Sequence, residues 1–399
     1  MKKVLIVSQY FWPEEFRIND LALDLVKRGF DVSVLTANPN YPKGSFVKGY
    51  GFRFSKEKYC GINIYRVPVI PRGKNSVMLL LNYCSFVIFG SLFGLFHKKR
   101  YDKVFAVNYS PITAVIPGIV YCVKKKVELS IWVQDLWPES ILAASNIKWK
   151  PLISFLDVLV KWIYKKSNRI FVSNKGFINS ITSKGVAKNK LLFMPNWAED
   201  LYESPNNHIY PKDKFDIPDG FVIMFAGNMG EGQDFDSIIE AIRLTSHKKE
   251  IKWIFVGDGR KKQWFYEELL KNKLEDNVRL LGRYPMIKMP ELFSYADIML
   301  VSLKDEDIFA LTVPGKIQSY MASSKPILSM LPGVGNELVE DASCGLTSRA
   351  EDYNSLANNA IISYGFSKEK LKELGVNGNK YYNRYFSKDK VIDSFIDRF

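Results

Sequence analysis

The chain has 399 residues, more than the ~250–300 at which a single hydrophobic core stops growing, so two domains are expected. With 47% hydrophobic and 25% charged residues it has a globular composition, which excludes extended disorder. Lys and Arg number 56 against 42 Asp and Glu, a net charge of +14 that favours anionic partners; without a zinc finger, an RNA-binding signature or a basic zipper, nucleic acid is not the expected one. Cys60, Cys84, Cys122 and Cys344 form no C-x-x-C pair, so no zinc site is expected and a reducing cytoplasm suits them. The opening apolar run is too short for a signal peptide and reads as a first strand.

In chain order, residues 3–8 predict a strand, 19–28 a helix and 31–36 a second strand, a βαβ unit that implies a parallel sheet. Buried strands are expected at 104–107, 129–133 and 170–173. Residues 196–213 are polar and rich in turn-formers and read as a linker between a domain at 1–195 and one at 214–380. The second half repeats the theme, with strands at 221–226, 252–256, 278–281, 298–302 and 326–330 and helices at 234–244, 262–272 and 289–295. A terminal helix, within 381–399, is expected to return to the first domain.

Residues 77–96 carry no charge and are long enough to span a bilayer. Arg72 and Lys74 precede them and Lys98, Lys99 and Arg100 follow, so a span has no clear orientation and would strand the first βα units outside the cell. A helix lying in the membrane interface fits better, and burial against the sheet is the alternative. Residues 152–166 form a second amphipathic stretch, equally suited to a membrane surface or to an ordinary surface helix.

The first βα turn, residues 8–17, holds no G-x-G-x-x-G, which argues against a nicotinamide enzyme. Its aromatic and acidic loop lies where open α/β sheets bind ligands, making Glu15, Arg17 and Asn19 candidate acceptor contacts, with loop or capping duty as the plain alternative. Residues 225–233 read Phe-Ala-Gly-Asn-Met-Gly-Glu-Gly-Gln and place three glycines between a strand and a helix, where backbone and helix N-terminus favour a phosphate. Gly227, Asn228, Gly230 and Gln233 are therefore candidate donor contacts, as are Asp258 at the end of the next strand and Thr312, Pro314 and Lys316 at the entry to a later helix. Lys316 is suited to neutralising a diphosphate.

The order of residues 225–233, 257–259, 295–302, 314–316 and 320–328 resembles the retaining family 4 glycosyltransferases of GT-B fold. With 10–17 and 135–140 it resembles the branch containing capsule and O-antigen N-acetylfucosamine transferases. The resemblance implies an α/β fold of two doubly wound Rossmann-like domains facing a central cleft. It implies a nucleotide-sugar donor, UDP-linked, as a substrate and not a cofactor, bound mainly by the second domain. The acceptor, a polyprenyl-diphosphate-linked saccharide, is expected on the first domain at the inner membrane face, the protein being cytoplasmic and peripheral or monotopic. The resemblance implies transfer of N-acetyl-L-fucosamine or a similar N-acetylamino sugar, with retention and without cofactor or bound metal. In an inverting variant, Asp135 or Glu15 is the candidate catalytic base, Asp135 having helix capping as its alternative. Two departures stand out. The family's E-x7-E glutamates are matched by Leu311 and Ser319, and its basic pair after the glycine loop by Asn228 and Gln233, leaving Lys316 as the chief phosphate cation. A nucleotide-sugar 2-epimerase and a non-catalytic subunit of a glycan assembly complex are the competing readings.

Overall fold

The computed structural model describes residues 1–144, 149–203 and 215–399, so part of the predicted linker, 204–213, lies outside the described residues. The chain divides into two compact units, Met1–Pro195 with Ile392–Phe399, and Asn196–Val391.

The first unit is an eight-stranded sheet of β1 (Lys3–Val7), β2 (Asp31–Ala37), β3 (Ser55–Tyr59), β4 (Ile62–Val67), β5 (Lys103–Asn108), β6 (Leu129–Val133), β7 (Arg169–Val172) and β8 (Leu191–Phe193). The spatial order is β3-β4-β2-β1-β5-β6-β7-β8, parallel throughout except for β3 against β4. Helices cover both faces of such a sheet, so its central strands read as unbroken apolar runs; Val4, Leu5, Ile6 and Val7 are wholly buried. The antiparallel edge turns through Cys60 and Gly61, both at positive φ (44° and 84°), the two-residue geometry that matches strand twist. From β1 the chain runs outward to β2 and β4 on one side and then returns to β5 on the other, so the switch point lies between the carboxyl ends of β1 and β5.

Between β4 and β5 runs the helix Ser76–Phe96, capped by Asn75, whose side chain accepts from the Met78 amide at 2.8 Å. It is long and apolar enough to cross a membrane, with a mean hydropathy of 1.9. It is nonetheless fastened along its length to the unit. Asn82, Phe86, Gly90 and Gly94, spaced by four, form its buried stripe. A Cβ on Gly90 would lie 2.7 Å from Pro117 Cγ, and one on Gly94 3.0 Å from the Pro117 carbonyl oxygen, so the glycines let the helix Ile116–Lys125 approach closely. Asn82 and Ser85, polar and buried, are satisfied: Asn82 accepts from Gln9 Nε2 at 2.8 Å and donates to the Ile70 carbonyl at 2.6 Å, while Ser85 Oγ accepts from the Ile70 amide at 3.0 Å. The opposite face leaves Val77, Leu80, Leu81, Ile88, Leu92, Leu95 and Phe96 exposed. The helix Ile116–Lys125 also packs on Lys150–Lys166, which exposes Phe155, Val158 and Trp162.

The second unit is a wholly parallel sheet of β9 (Phe221–Ala226), β10 (Ile251–Val256), β11 (Val278–Gly282), β12 (Ile298–Ser302), β13 (Ile327–Leu331) and β14 (Gly345–Arg349), in the order β11-β10-β9-β12-β13-β14. Phe225, Phe235, Phe255 and Phe265 interlock beneath its helices with ring centroids 4.7–6.0 Å apart; at ~1.5–3 kcal/mol per buried side chain, this cluster is a principal stabiliser of the unit. The switch point falls between β9 and β12.

The predicted terminal segment is divided. Helix Lys368–Tyr385 and the chain to Val391 belong to the second unit, whereas the end of helix Lys388–Arg398 belongs to the first. There Phe395 and Phe399 pack on Phe105 at 4.7 and 5.6 Å, and Asp393 accepts from Arg28 at 2.8 Å.

Candidate functional site

The switch point of the second sheet gathers most of the predicted donor contacts. β9 runs into Gly227, whose φ of +139° a side chain rarely adopts. A Cβ there would stand 2.7 Å from Lys316 Cε, so this turn and the lysine are packed against each other. β10 ends in Gly257 at φ +150°, where a Cβ would collide with the Gly227 carbonyl oxygen. The Met229 amide donates to the Asp258 carbonyl at 2.9 Å, tying the two turns into one surface. Gly227, Asn228 and Asp258 are exposed on it, with Gly230 and Gln233 half-buried.

Lys316 opens the helix Gly315–Ala322, with Pro314 as its N-cap residue. Its ammonium donates to Gln233 Oε1 at 2.5 Å and lies 3.6 Å from the centre of the Phe225 ring. The residue as a whole is half-buried, its ammonium is enclosed, and this desolvation pushes its pKa well below the usual lysine range. Neither partner carries a charge and no carboxylate among the described residues pairs with the ammonium, so an anion placed on the glycine turn would be its first charged partner. The helix is anchored by Tyr320, whose hydroxyl accepts from the Ala226 amide at 3.2 Å. Ser302, at the end of β12, donates to the Gln233 carbonyl at 2.6 Å and fixes the residue that holds Lys316. Neither Tyr320 nor Ser302 was a sequence candidate; both read as ordinary strand or helix positions.

Two other predicted contacts are taken up by bonds to their own turns. The Thr312 hydroxyl donates to the Ile308 carbonyl at 2.8 Å, and Asp258 Oδ1 accepts from the Gly259 amide at 2.8 Å. Leu311 is half-buried and Ser319 buried, so no carboxylate stands at either place. Lys261, a nearby basic residue absent from the sequence candidates, lies 3.4 Å from Glu231 and 3.7 Å from Asp236, which hold its charge on the rim of the loop. Among the described residues no group of three or more His, Cys, Asp or Glu gathers as a metal site.

In the first unit the predicted residues separate. Glu15 is exposed. Asn19 ties the loop to itself, accepting from the Trp12 amide at 3.1 Å and donating to the Glu14 carbonyl at 2.7 Å. Arg17 starts the helix Arg17–Lys27 and lies near Tyr109. The buried carboxylate of this loop is Glu14, which accepts from the amides of Asn40 and Tyr41 at 2.8 and 2.7 Å; burial raises its pKa despite those bonds. Asp135 follows β6, and its backbone carbonyl accepts from Asn108 at 2.9 Å. Its carboxyl takes no hydrogen bond from the described residues, and burial alone raises its pKa to about 7.

Residues 220–363 match the family model described as Glycosyl transferases group 1. The matched stretch contains the glycine turn, Asp258 and Lys316. The chain is 29% identical over 212 residues to WbjE of Pseudomonas aeruginosa, named as a glycosyltransferase, covering half of each chain. It is 23% identical over 337 residues to WcaI of Escherichia coli (strain K12), whose name places it in colanic acid biosynthesis as a glycosyl transferase; 80% of this chain and 81% of that one are covered. The chain thus spans about half the length of the first relative. Among solved structures it resembles Anabaena HepE in complex with UDP, at a TM-score of 0.70 and 13% identity, over 100% of this chain and 99% of that one. The fold is that of the GT-B structures, two Rossmann-like domains each built on a parallel sheet.

Proposed function

We propose that this protein is a glycosyltransferase of surface-polysaccharide assembly, taking a sugar from a nucleotide diphosphate donor on its second unit. One observation carries the reading: at the switch point of the second sheet an enclosed lysine, Lys316, lies against a glycine turn with only neutral partners among the described residues, within the stretch that matches the group 1 model. HepE, of similar fold, is described in complex with UDP, which supports a UDP-linked donor. The leaving diphosphate is stabilised by the turn's amides, the N-terminus of helix Gly315–Ala322 and Lys316, with no step that calls for metal. Leu311 and Ser319 supply no carboxylate to the donor sugar, so sugar selection rests on other contacts. The acceptor is a lipid-linked saccharide taken by the first unit at the inner membrane face, and the sugar is N-acetyl-L-fucosamine or a related N-acetylamino sugar.

The test is a donor screen with purified full-length protein and membrane lipid extract, following nucleotide release and the mass of the lipid-linked product. Absence of lipid-dependent turnover with every donor would sink the reading; isomerisation of a donor without acceptor would replace it with an epimerase.

Asp135 gives this reading a pH signature. A carboxyl with pKa about 7 is half ionised near neutrality, the range in which a general base is effective. With Asp135 as base, kcat/KM rises with pH through about 7, and Asp135→Asn lowers the plateau by ~10²–10⁴-fold and removes that limb. Stability moves the other way. The folded state holds this proton between the usual carboxylate pKa and about 7 while the unfolded chain does not, so the contribution of Asp135 to stability falls as pH rises across that window. A pH–rate profile and melting curves on both proteins separate the two effects. An unchanged profile in Asp135→Asn removes Asp135 from the chemistry and favours retention, in which the leaving phosphate takes the acceptor's proton.

A further inference from the structure

Two arginines of the first unit, six residues apart, have opposite surroundings. Arg66 is wholly buried, with Nη1 donating to the Ala37 carbonyl at 3.0 Å, Nη2 to the Trp12 carbonyl at 2.5 Å and an ion pair to Glu57 at 2.5 Å. It is a structural clamp. Arg72 is half-buried, and among the described residues its one side-chain hydrogen bond runs from Nη1 to the Tyr10 hydroxyl at 3.0 Å. Its guanidinium carbon lies 5.3 Å from the centre of the Tyr41 ring, and no carboxylate among the described residues pairs with it. A guanidinium has five donors and favours planar oxyanions, so a fork held only by a phenol and a ring retains most of its capacity for phosphate.

The fork is held on a fixed frame. The Arg72 amide donates to Asn40 Oδ1 at 3.0 Å. Tyr10 stacks on Phe16 at 4.9 Å and tilts against Tyr41 at 5.6 Å. Tyr83 lies within electrostatic range of Tyr10, Arg72 and Asp135. Burial raises the pKa of both phenols, which keeps them protonated and able to donate. Tyr83 belongs to the helix Ser76–Phe96, and Arg72 lies four residues before its first residue, so this cationic group stands at the amino end of that helix, where the exposed apolar residues Val77, Leu80 and Leu81 begin. Lys74, exposed between them, adds charge of the same sign.

We propose that Arg72, Tyr10 and Tyr83 seat the phosphate head of an amphiphilic ligand, a prenyl-type phosphate or diphosphate whose chain lies along the apolar face of Ser76–Phe96. That this ligand is the acceptor rests on the transferase reading; that it binds here does not. A cation, two hydroxyls and an adjoining apolar helix match such a molecule, whereas a soluble phosphate ester would leave the helix face unused.

The test is titration of full-length protein with farnesyl diphosphate, farnesol and inorganic pyrophosphate, followed by calorimetry, with UDP binding measured in parallel. Arg72→Gln is expected to weaken farnesyl diphosphate at least tenfold while farnesol and UDP bind as before. Arg72→Lys, which keeps the charge and loses the fork, is expected to fall between, and melting curves check that both variants are folded. Equal affinity of Arg72→Gln and the unaltered protein for farnesyl diphosphate overturns the proposal. So does displacement of farnesyl diphosphate by UDP, which assigns the diphosphate to the second unit, or pyrophosphate binding as tightly as farnesyl diphosphate, which removes the amphiphile. Failure of UDP itself to bind counts against the transferase reading and leaves these outcomes legible.

Discussion

Replacing Lys316 by alanine is expected to lower kcat/KM for the nucleotide-sugar by ~10²–10³-fold, the effect of removing a preorganised donor from a developing negative charge. Lys316 lies directly over the Gly227 turn, so its ammonium meets an anion there without rearrangement. UDP affinity is expected to fall as well, since a charge-assisted hydrogen bond contributes ~1.5–3 kcal/mol. The enclosed ammonium adds a second readout. Its pKa is depressed while the site is empty and rises when a diphosphate arrives, so binding takes up a proton and affinity declines as pH rises. Calorimetry of UDP in buffers of different ionisation enthalpy reports that proton directly. A variant within threefold of the unaltered protein, with no proton taken up on binding, removes Lys316 from the donor site.

The second large effect concerns the helix Ser76–Phe96. Changing Val77, Leu80, Ile88 and Phe96 together to serine is expected to release the protein from anionic vesicles. Full burial of one such side chain stabilises by ~1.5–3 kcal/mol, and partial insertion at the depth of the headgroups by about 1 kcal/mol. Four changes then cost about 4 kcal/mol, close to a thousandfold in partition. All four side chains are more than half exposed and none belongs to the buried stripe, so the melting temperature should hold. Sedimentation with vesicles containing phosphatidylglycerol measures the change. Raising salt should weaken binding less than the substitutions do, because screening reaches only the flanking lysines and arginine. Unchanged sedimentation of the variant excludes this face as the membrane contact.

The central strands were legible because a parallel sheet covered on both faces needs apolar runs, which β1, β5, β9 and β12 supply unbroken and β2 and β6 with only small hydroxyl residues between. The edges were not. β3 alternates charge and half-burial through Ser55, Lys56, Glu57, Lys58 and Tyr59, and β14 places Thr347 and Arg349 beside only one neighbour. β4 is masked by Arg66, tolerated inside only because Glu57 and two carbonyls surround it. The helix Lys368–Tyr385 hides behind Gly375 and Gly378, which weaken a helical pattern but allow contact with Ser324 and Cys344. The same division holds in the sites. The glycines that follow β9 and β10 and the lysine at a helix entry could be placed together from the sequence, because position in the fold follows from the strand pattern. In the first unit, Glu14 and Glu15 are neighbours with equal propensity, and only the amides of Asn40 and Tyr41, far along the chain, decide which is enclosed. Arg72 was read only as a flanking charge, since nothing local reveals that it lacks a carboxylate.

The contact of Gly90 and Gly94 with Pro117 and Tyr121 has a mechanical consequence. Two helices that meet through glycine have little side-chain padding to slide or rock upon, and a methyl group at either glycine would force them apart. A lipid surface engaging Ser76–Phe96 therefore grips a lever that is stiffly joined to the first sheet. The height of Arg72 and Asp135 relative to the phosphate plane would then be a dimension machined into the protein, little altered by the thickness or fluidity of the lipid.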